Sequence, residues 1–566
     1  MAVDPITFEV IRNALVAATD EMALALKRSA YSTNIKTRSD FSCAFFDAEL
    51  RSVAQGFAQP VHLGSMVEQV PKAVHAYGAE NLGPGDVIVT NDPHPSGVHL
   101  NDVSLISPVH CDRELLGYVA NLAHHVDVGG GAPASIGAFR EVFQEGVIIP
   151  PVKLVEGGRV VDDVFRLVVA QIRSTYETAG DFRAQIAANA TGVRRVQALV
   201  DRHGLDPVRA TMAELLDYTE RRARAELARL PEGIYEAEGF VDNDGYTDEP
   251  VRLRGRVEIG PRGVRFDTTG SDPQRRAPVN ATYAMTLSAC AYVLKCLIDP
   301  DLPVNDGFYR LLDVAAPEGT VTNCTWPAPV VGGWETQTRL VDVLFRALLP
   351  AFPERLPAGT KAMMCQAGFG ALDVEAGTYV CFYETFAGGY GGRFASDGPD
   401  AVQTHGQNTE NAPVEETELN YPVRIDRLAL VEDSDGAGRR RGGLGLRKDF
   451  RFDLHTTFTI LADRDRSGPW GVDGGNEGLR AEYVHVRDGV ETRLSSKTTL
   501  DLAPGDVVSI RTCGGGGYGP PRAREPELVL RDVLEGKVSP ERAREVYGVA
   551  VADGGIDHAA TEVLRA

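Results

Sequence analysis

The N-terminal residues follow a hydrophobic pattern with helical spacing. Apolar side chains recur at steps of three or four residues, at Phe8, Ile11, Leu15, Ala18 and Met22. Such a stripe is typical of an amphipathic helix. Asp4 and Pro5 precede it, and both suit a helix start, because a carboxylate caps free backbone N–H groups and proline fits the first turn. The pattern predicts a helix that reaches about Ser29.

Short apolar runs between Asp, Pro and Gly residues come next and predict strands. These runs lie at residues 41–46, 87–90, 103–106 and 118–122. Helical spacing then covers residues 164–175, 180–203 and 207–229, and returns at 281–298 and 335–349. Alternating runs at 235–240 and 251–257 predict antiparallel strands. From about residue 420 glycine-punctuated strands dominate, and the charged stretch 526–566 favours helix.

These elements predict a mixed α+β fold in several layers, with a helical N-terminal part and mostly antiparallel sheets towards the C-terminus. A chain of 566 residues is too long for one hydrophobic core. The pattern changes near residues 231 and 420. We therefore expect a domain with a helical segment at 1–230, an α/β middle domain at 231–420, and a glycine-rich β domain with a helical tail at 421–566.

The negative net charge of the chain argues against two classes of binding partner. The chain has 58 Lys and Arg against 79 Asp and Glu, a net charge of -21. Binding to nucleic acid or to an anionic membrane needs clustered positive charge, so neither is expected. We also find no apolar run of about 20 residues and no signal-peptide pattern. Eight scattered cysteines without a CxxC pair indicate reduced thiols, so a cytoplasmic location is expected.

Common catalytic and nucleotide-binding motifs are absent from the sequence. There is no P-loop, no HExxH and no GxSxG. Residues 514–519 have the letters of GxGxxG, but Pro520 and Pro521 follow where that motif needs a helix. For the glycines at 513–519 we favour close backbone packing. Those at 388–392 leave a ligand and a neighbouring strand as alternatives.

Histidine placement is the positive signal. Seven of the 12 histidines fall within 64 residues, at positions 62, 75, 94, 99, 110, 124 and 125. His99 and Asp102 lie three apart on a loop that enters a strand, and His124 ends a neighbouring strand before a glycine-rich loop. A divalent metal needs three or four converging imidazoles and carboxylates, often with one position left for water or substrate.

The alternative is a structural cluster. A buried histidine is commonly a hydrogen-bonded core residue, and His75 and His110 are expected to be surface or structural residues. The doublet His124-His125 places its two rings on opposite faces of a strand, so at most one of them is expected to bind a metal. Spacing alone leaves both interpretations open.

Ordered motifs extend over nearly the whole chain. They include Asp4-Pro-Ile-Thr-Phe-Glu-Val, Asp40-Phe-Ser-Cys-Ala, His62-Leu-Gly-Ser-Met, Asn91-Asp-Pro, His99-Leu-Asn-Asp102, His124-His-Val-Asp-Val-Gly-Gly and residues 143–154, 305–307, 387–392, 411–415, 436–445 and 514–519. By these motifs the chain resembles the hydantoinase B/5-oxoprolinase family. That family includes the B subunit of N-methylhydantoinase-type enzymes, part of 5-oxoprolinase, and a related component of acetone carboxylase.

The resemblance implies a division of labour between two subunits in a hetero-oligomer. An ATPase of the hydantoinase A type binds ATP and phosphorylates the carbonyl oxygen of a small cyclic amide. The B subunit holds a divalent metal, Zn or Mn, whose activated water attacks the ring carbonyl. Carried onto this sequence, the metal ligands are Asp40, His99, Asp102 and His124.

Three further residues are candidates for orienting the water: His125, Asp127 and Glu145. Structural hydrogen bonding is the alternative for each of them. The sequence also departs from the family, because many relatives read Glu-Arg-Arg-Asp where this chain has Thr37-Arg-Ser-Asp40. The changes at Thr37 and Ser39 leave the details of the chemistry open.

The favoured hypothesis is the B subunit of an ATP-dependent amidohydrolase that opens hydantoin-like or lactam rings and is active only with its partner. A subunit of an ATP-dependent ketone carboxylase is the first alternative. A non-catalytic scaffold for the A subunit is the second. A bound stoichiometric metal would argue against the scaffold, and bicarbonate dependence with a ketone would favour the carboxylase.

Overall fold

The computed structural model describes residues 4–56, 59–94 and 97–566. Helices and mostly antiparallel sheets alternate along the chain, and the predicted mixed α+β class is confirmed. The helices are α1 (Pro5–Ser29), α2 (Thr33–Lys36), α3 (Pro60–Tyr77), α4 (Asp162–Val169), α5 (Thr175–His203), α6 (Leu205–Leu227), α7 (Tyr283–Leu297), α8 (Asp306–Tyr309), α9 (Gly333–Leu348), α10 (Val414–Asn420), α11 (Pro526–Leu534), α12 (Pro540–Glu545) and α13 (His558–Arg565). Every helix in these described ranges is too short or too polar to cross a membrane.

The strands form four main sheets and one small hairpin. Their bounds are β1 (Phe41–Asp47), β2 (Ser52–Gln55), β3 (Val87–Thr90), β4 (Asp102–Cys111), β5 (Glu114–His124), β6 (Val152–Glu156), β7 (Arg159–Val160), β8 (Gly233–Val241), β9 (Val251–Gly260), β10 (Gly263–Asp267), β11 (Leu312–Ala315), β12 (Gln366–Asp373), β13 (Thr378–Thr385), β14 (Val423–Leu430), β15 (Leu446–Phe452), β16 (Thr456–Leu461), β17 (Glu482–Arg487), β18 (Val490–Arg493), β19 (Lys497–Leu502), β20 (Val507–Arg511), β21 (Val551–Ala552) and β22 (Gly555–Ile556).

The N-terminal layer is a seven-stranded antiparallel sheet in the order β2-β1-β5-β4-β3-β6-β7. Helices α1, α5 and α6 cover one face, and α3 covers the other. Because successive strand residues point to opposite faces, Phe45 packs against the α1 side and Phe46 against the α3 side. Both faces are therefore buried, which explains why residues 41–46 are mostly apolar instead of alternating between apolar and polar.

The middle of the chain forms the sheet β11-β10-β9-β8, which packs on α7 and α9 around one apolar core. The C-terminal half forms two sheets, β13-β12-β16-β19 and β14-β15-β20-β17-β18, around a phenylalanine-rich core. Strands β12 and β13 precede residue 420, yet they share a sheet with β16 and β19. The domain boundaries near 231 and 420 stay predictions.

Helices α3 and α4 near the histidine segment differ from the sequence prediction. α4 ends at Val169, because Arg173 turns away and donates its backbone N–H to Asp127. α3 was not predicted at all. It contains Pro71, which normally disfavours a helix interior because it lacks an N–H. Its apolar face, formed by Met66, Val70 and Val74, still packs on the sheet.

The glycines at 388–392 and 513–519 pack against each other. A Cβ added to Gly389 would lie 2.1 Å from the Gly515 nitrogen, and one added to Gly515 would lie 2.0 Å from the Tyr390 carbonyl oxygen. Both distances are shorter than any real Cβ contact, and both neighbours are backbone atoms. Backbone therefore approaches backbone here, and glycine is required for steric reasons.

We expect Gly515→Ala to destabilise the protein by about 2–4 kcal/mol, since overpacking at a rigid backbone contact has few ways to relax. The shift of the urea unfolding midpoint measures the effect. Gly260→Ala is the matched control, because a Cβ there meets nothing within 4 Å. Equal midpoints for the two variants would contradict the packing argument.

Candidate metal centre

The centre forms where β4 and β5 lie side by side. Asp102 is the first residue of β4, His124 is the last of β5, and the antiparallel register places them directly opposite each other. His124 Nδ1 lies 3.1 Å from Asp102 Oδ1, and His99 Nε2, on the loop before β4, lies 3.2 Å from Asp102 Oδ2. Facing ends of paired strands thus bring together three residues that the sequence singled out.

The three side chains are buried and offer atoms without hydrogen-bond partners. These atoms are both ring nitrogens of His99, Asp102 Oδ2 and His124 Nε2. Buried polar groups in folded proteins nearly always have a partner, so a cluster of this kind needs an explanation. The ligand-type atoms of the three residues lie within 4.8 Å of one another. Imidazole nitrogens with a carboxylate oxygen are a donor set that fits Zn or Mn.

The charge of Asp102 suits a cation ligand. Burial alone would raise the pKa of this carboxyl, but the neighbouring His99, His62 and His124 outweigh it and hold the pKa well below its usual value. Asp102 therefore remains a carboxylate. Its Oδ1 holds the Nδ1 of His124, which leaves the opposite nitrogen of that ring available.

Asp40 and His62 complete the cluster. The Asp40 carbonyl accepts the backbone N–H of His124 at 3.0 Å, so Asp40 lies directly before the start of β1, next to the centre. His62, in the first turn of α3, lies 3.7 Å from Asp102 Oδ2 and 3.8 Å from Asp40 Oδ1, each measured from its Nε2. His62 was not among the predicted ligands. It belonged to the histidine cluster, but without a predicted α3 its side chain could not be placed.

Two aromatic side chains from distant segments enclose the rings. Trp334, in the first turn of α9, meets His99 edge-on with ring centroids 5.9 Å apart. Tyr383 of β13 stacks on His124 at 4.3 Å. The buried Arg38 anchors this wall, donating to the Tyr383 carbonyl and to Thr385 Oγ1. Sequence reasoning missed both aromatic residues, because nothing local links positions 334 and 383 to the histidines.

A small cavity opens beside these residues. Its lining is Asp40, Gln59, Val61, His62, His124, Trp334, Met364, Tyr383, Thr385, Gln407 and Thr409. The space open to a water-sized group is about 10 Å³, about the room that one water molecule needs. The cavity therefore provides a place for one water-sized reactant next to Asp40, His62 and His124.

The structure gives the three predicted water-orienting residues other partners. The His125 ring points to the opposite face of the sheet, where its Nε2 lies 2.9 Å from Gln185 Oε1 and its ring packs on Phe182. Asp127 pairs with Arg173 and accepts the backbone N–H groups of Arg173 and Gly129. His125 and Asp127 are absent from the lining of the described cavity, and their catalytic roles stay predictions.

Glu145 also lies outside that lining. Its Oε1 accepts the backbone N–H groups of Val330 and Val331 at 2.7 and 2.8 Å, so it holds the loop that leads into α9. Burial raises the pKa of Glu145 to about 8. At neutral pH this carboxyl is largely protonated and serves the loop in front of Trp334. A catalytic role for Glu145 likewise stays a prediction.

The positions that depart from relatives face α10 and the preceding loop. Thr37 donates to the carboxylate of Glu416, and Ser39, with a positive φ of 57°, lies 3.3 Å from Glu410 Oε1. Neither lines the described cavity. Thr37 and Ser39 therefore contact α10 and the loop before it rather than the cavity wall.

A second acidic group, Asp242, Asp463 and Asp465, is also close enough to hold a cation. Asp463 is paired with Arg339 and lies 3.5 Å from Lys497 Nζ, and Asp242 accepts two backbone N–H groups and a serine hydroxyl. Two cations and three hydrogen-bond donors thus already occupy Asp463 and Asp242. The histidine cluster is the better metal centre.

Comparison with known proteins decides the family. Residues 4–521 match the family model described as hydantoinase B/oxoprolinase. The chain belongs to this family. The resemblance inferred from the motifs is thereby confirmed.

Individual relatives match this chain over nearly their whole length and its own. The chain is 31% identical to a putative D-/L-hydantoinase B subunit of Pseudomonas sp. strain NS671, with 100% of this chain and 98% of that protein covered. It is 33% identical to the caprolactamase β-subunit of Pseudomonas jessenii, covering 100% and 99%. The crystal structure of an ATP-dependent caprolactamase from that organism superposes with a TM-score of 0.92 at 31% identity and full coverage of both chains. An acetone carboxylase structure also gives 0.92, covering 99% of this chain and 82% of that one; at 21% identity it shows a shared fold.

Proposed function

We propose that this chain is the metal-binding B subunit of an ATP-dependent enzyme that opens hydantoin-like or lactam rings. The observation that carries the proposal is the buried cluster of His99, Asp102 and His124, with unpartnered ligand atoms beside a cavity for one water. The names of the relatives, a hydantoinase B subunit and a caprolactamase β-subunit, support a cyclic amide substrate and an A-type partner.

In this proposal His99, Asp102 and His124 hold a divalent ion, Zn or Mn, with Asp40 as a fourth candidate ligand. Such an ion supplies Lewis acidity and lowers the pKa of water towards neutrality. Asp102 fixes the tautomer of His124 through Nδ1, as residues behind metal-binding histidines commonly do. Tyr383 and Trp334 exclude bulk water and keep the imidazole planes in place.

The remaining polar groups of the cavity serve proton transfer. His62 Nε2 and Asp40 Oδ1 lie 3.8 Å apart in the cavity wall. His62 can accept the proton of an attacking water, and Asp40 can do so when the other three residues hold the ion by themselves. A lactam carbonyl is a poor electrophile, so in this proposal the partner subunit first uses ATP to activate it. Phosphorylation of the ring oxygen makes the carbon electrophilic. Water adds its oxygen to that carbon, the ring C–N bond breaks, and the nitrogen takes up a proton, which leaves an acyl phosphate. A second water then releases phosphate and leaves the carboxylate of the opened ring.

The test is reconstitution with an A-type ATPase partner, metal and ATP, using hydantoin, 2-pyrrolidinone and 5-oxo-L-proline as substrates. We expect ring opening only when both subunits and ATP are present. Asp40→Asn should lower kcat by about 10²- to 10⁴-fold, the usual contribution of a general base. Asp112→Asn, in an exposed hairpin turn, is the matched control.

Three results would contradict the proposal. Ring opening by this chain without ATP would remove the need for the partner. Consumption of acetone and bicarbonate without any ring opening would assign the chain to the carboxylase alternative. Full activity of Asp40→Asn would exclude Asp40 from the chemistry.

A further inference from the structure

A second cavity shares no lining residue with the cavity at the histidine cluster. It has a volume of about 470 Å³, within the range of about 300–1,000 Å³ that small-molecule sites occupy. Helix α9 connects the two places: Trp334 touches the histidines, whereas Arg346 lines the second cavity twelve residues later. The α9 residues that line it, from Arg339 to Arg346, follow Trp334 by five to twelve residues, about 8 to 18 Å along the helix axis at 1.5 Å per residue. The proposed ring-opening chemistry makes no use of this cavity.

Most charged side chains in its wall are already paired. Asp342 binds Arg464 and the Trp470 indole N–H, Asp248 pairs with Arg466, and Glu477 accepts the Gly468 N–H. Asp242 accepts from the Arg466 and Ser467 backbone and from the Ser467 hydroxyl. These groups set the shape of the wall, and they leave little capacity for binding a ligand.

Two arginines in the wall still have donors free to bind a negatively charged group. Arg339 is 3% exposed and binds Asp463 through one terminal nitrogen, but its Nε has no partner. In the parts of the chain that the structure describes, Arg346 makes no hydrogen bond or ion pair; its guanidinium lies 6.0 Å from the centroid of the Trp470 ring. Two guanidinium groups at one cavity favour a carboxylate, which they can bind with two hydrogen bonds.

One carboxylate of the lining can still bind a cationic group. Glu238 of β8 is exposed and, among the described residues, its side chain has no hydrogen bond or ion pair. Phe240, Val343, Pro250 and Trp470 provide apolar surface in the same cavity. The several carboxylates of the wall would repel a ligand with more than one negative charge, so phosphates fit poorly.

We propose that this cavity binds a small amino acid whose carboxylate and ammonium groups are separated by a short apolar chain. The carboxylate pairs with Arg346 and Arg339, the ammonium with Glu238, and the chain lies on Trp470. The identification of this ligand as an opened ring rests on the proposed function, because adding water to an unsubstituted lactam yields an amino acid of this kind.

Titration calorimetry of the purified chain tests this inference, with 6-aminohexanoate as the probe. Hexanoate and hexylamine, which each carry one of the two charges, should bind at least tenfold more weakly. Arg346→Gln and Glu238→Gln should each weaken 6-aminohexanoate binding by at least tenfold. Arg262→Gln and Glu375→Gln, at exposed positions away from the cavity, are the matched controls and should leave it unchanged.

Absence of binding to the wild-type chain would overturn the inference, and so would equal binding of hexanoate or unchanged binding in both cavity variants. The experiment needs no ATP, no partner subunit and no turnover. Binding without any ring-opening activity in the reconstituted system would therefore count against the proposed function alone, and ring opening without binding would count against this site alone.

Discussion

Replacement of His99 by alanine is expected to remove most of the divalent metal from the purified protein. His99 is fully buried, both of its ring nitrogens lack hydrogen-bond partners, and its Nε2 lies 3.2 Å from Asp102. Loss of a residue that merely supports a metal ligand already lowers metal affinity by about 10- to 100-fold, so loss of a ligand should lower it by about 100-fold or more. Elemental analysis should give about one ion per wild-type chain and a small fraction of that in the variant.

His75→Ala is the matched control. His75 belongs to the same cluster in the sequence, but it is exposed in the last turn of α3. Its replacement should leave the metal content unchanged. Where alanine at position 99 prevents folding, His99→Asn fills more of the space and keeps the measurement possible. Equal metal content in the wild type and a folded His99 variant, or no metal in either, would show that the cluster is structural.

Replacement of Lys448 by methionine is expected to destabilise the C-terminal half by about 3–5 kcal/mol. Lys448 Nζ on β15 lies 2.8 Å from Glu384 Oε2 on β13, and the side chains are 2% and 1% exposed. The pair therefore links the two C-terminal sheets. Methionine has a similar length, so the variant mainly leaves the Glu384 carboxylate buried without a cation, which is the costly part of breaking such a pair.

Urea unfolding followed by circular dichroism measures this effect. The double variant Lys448→Met/Glu384→Gln should recover most of the stability, because no buried charge remains and the amide oxygen can still accept the Ala412 N–H. Arg265→Gln provides the comparison, since the Arg265–Asp313 pair is 45% and 62% exposed and should contribute less than about 1 kcal/mol. A loss in Lys448→Met no larger than that in Arg265→Gln would contradict the argument.

Local patterns in the sequence were sufficient for many of the elements. Capping by Asp4 and a helical stripe predicted α1, and β1, β3, β4 and β5 follow apolar runs that the sequence shows directly. The placement of His99 before β4 and of His124 at the end of β5 was also readable. Because successive side chains of a strand point to opposite faces, the sequence correctly predicted that the His124 and His125 rings lie on opposite faces of the sheet.

The tertiary structure alone decided which residues meet. The register of β4 and β5 puts Asp102 opposite His124, and α3 brings His62 to the same place although Pro71 interrupts its pattern. Trp334 and Tyr383 lie more than 200 residues along the chain from the histidines they contact, and no periodicity in the sequence predicts such a contact. By itself the sequence determined the family and the residue types of the centre. Only packing between distant elements decided which of those residues face one cavity, because contacts across a fold depend on register and layer geometry rather than on neighbours in the chain.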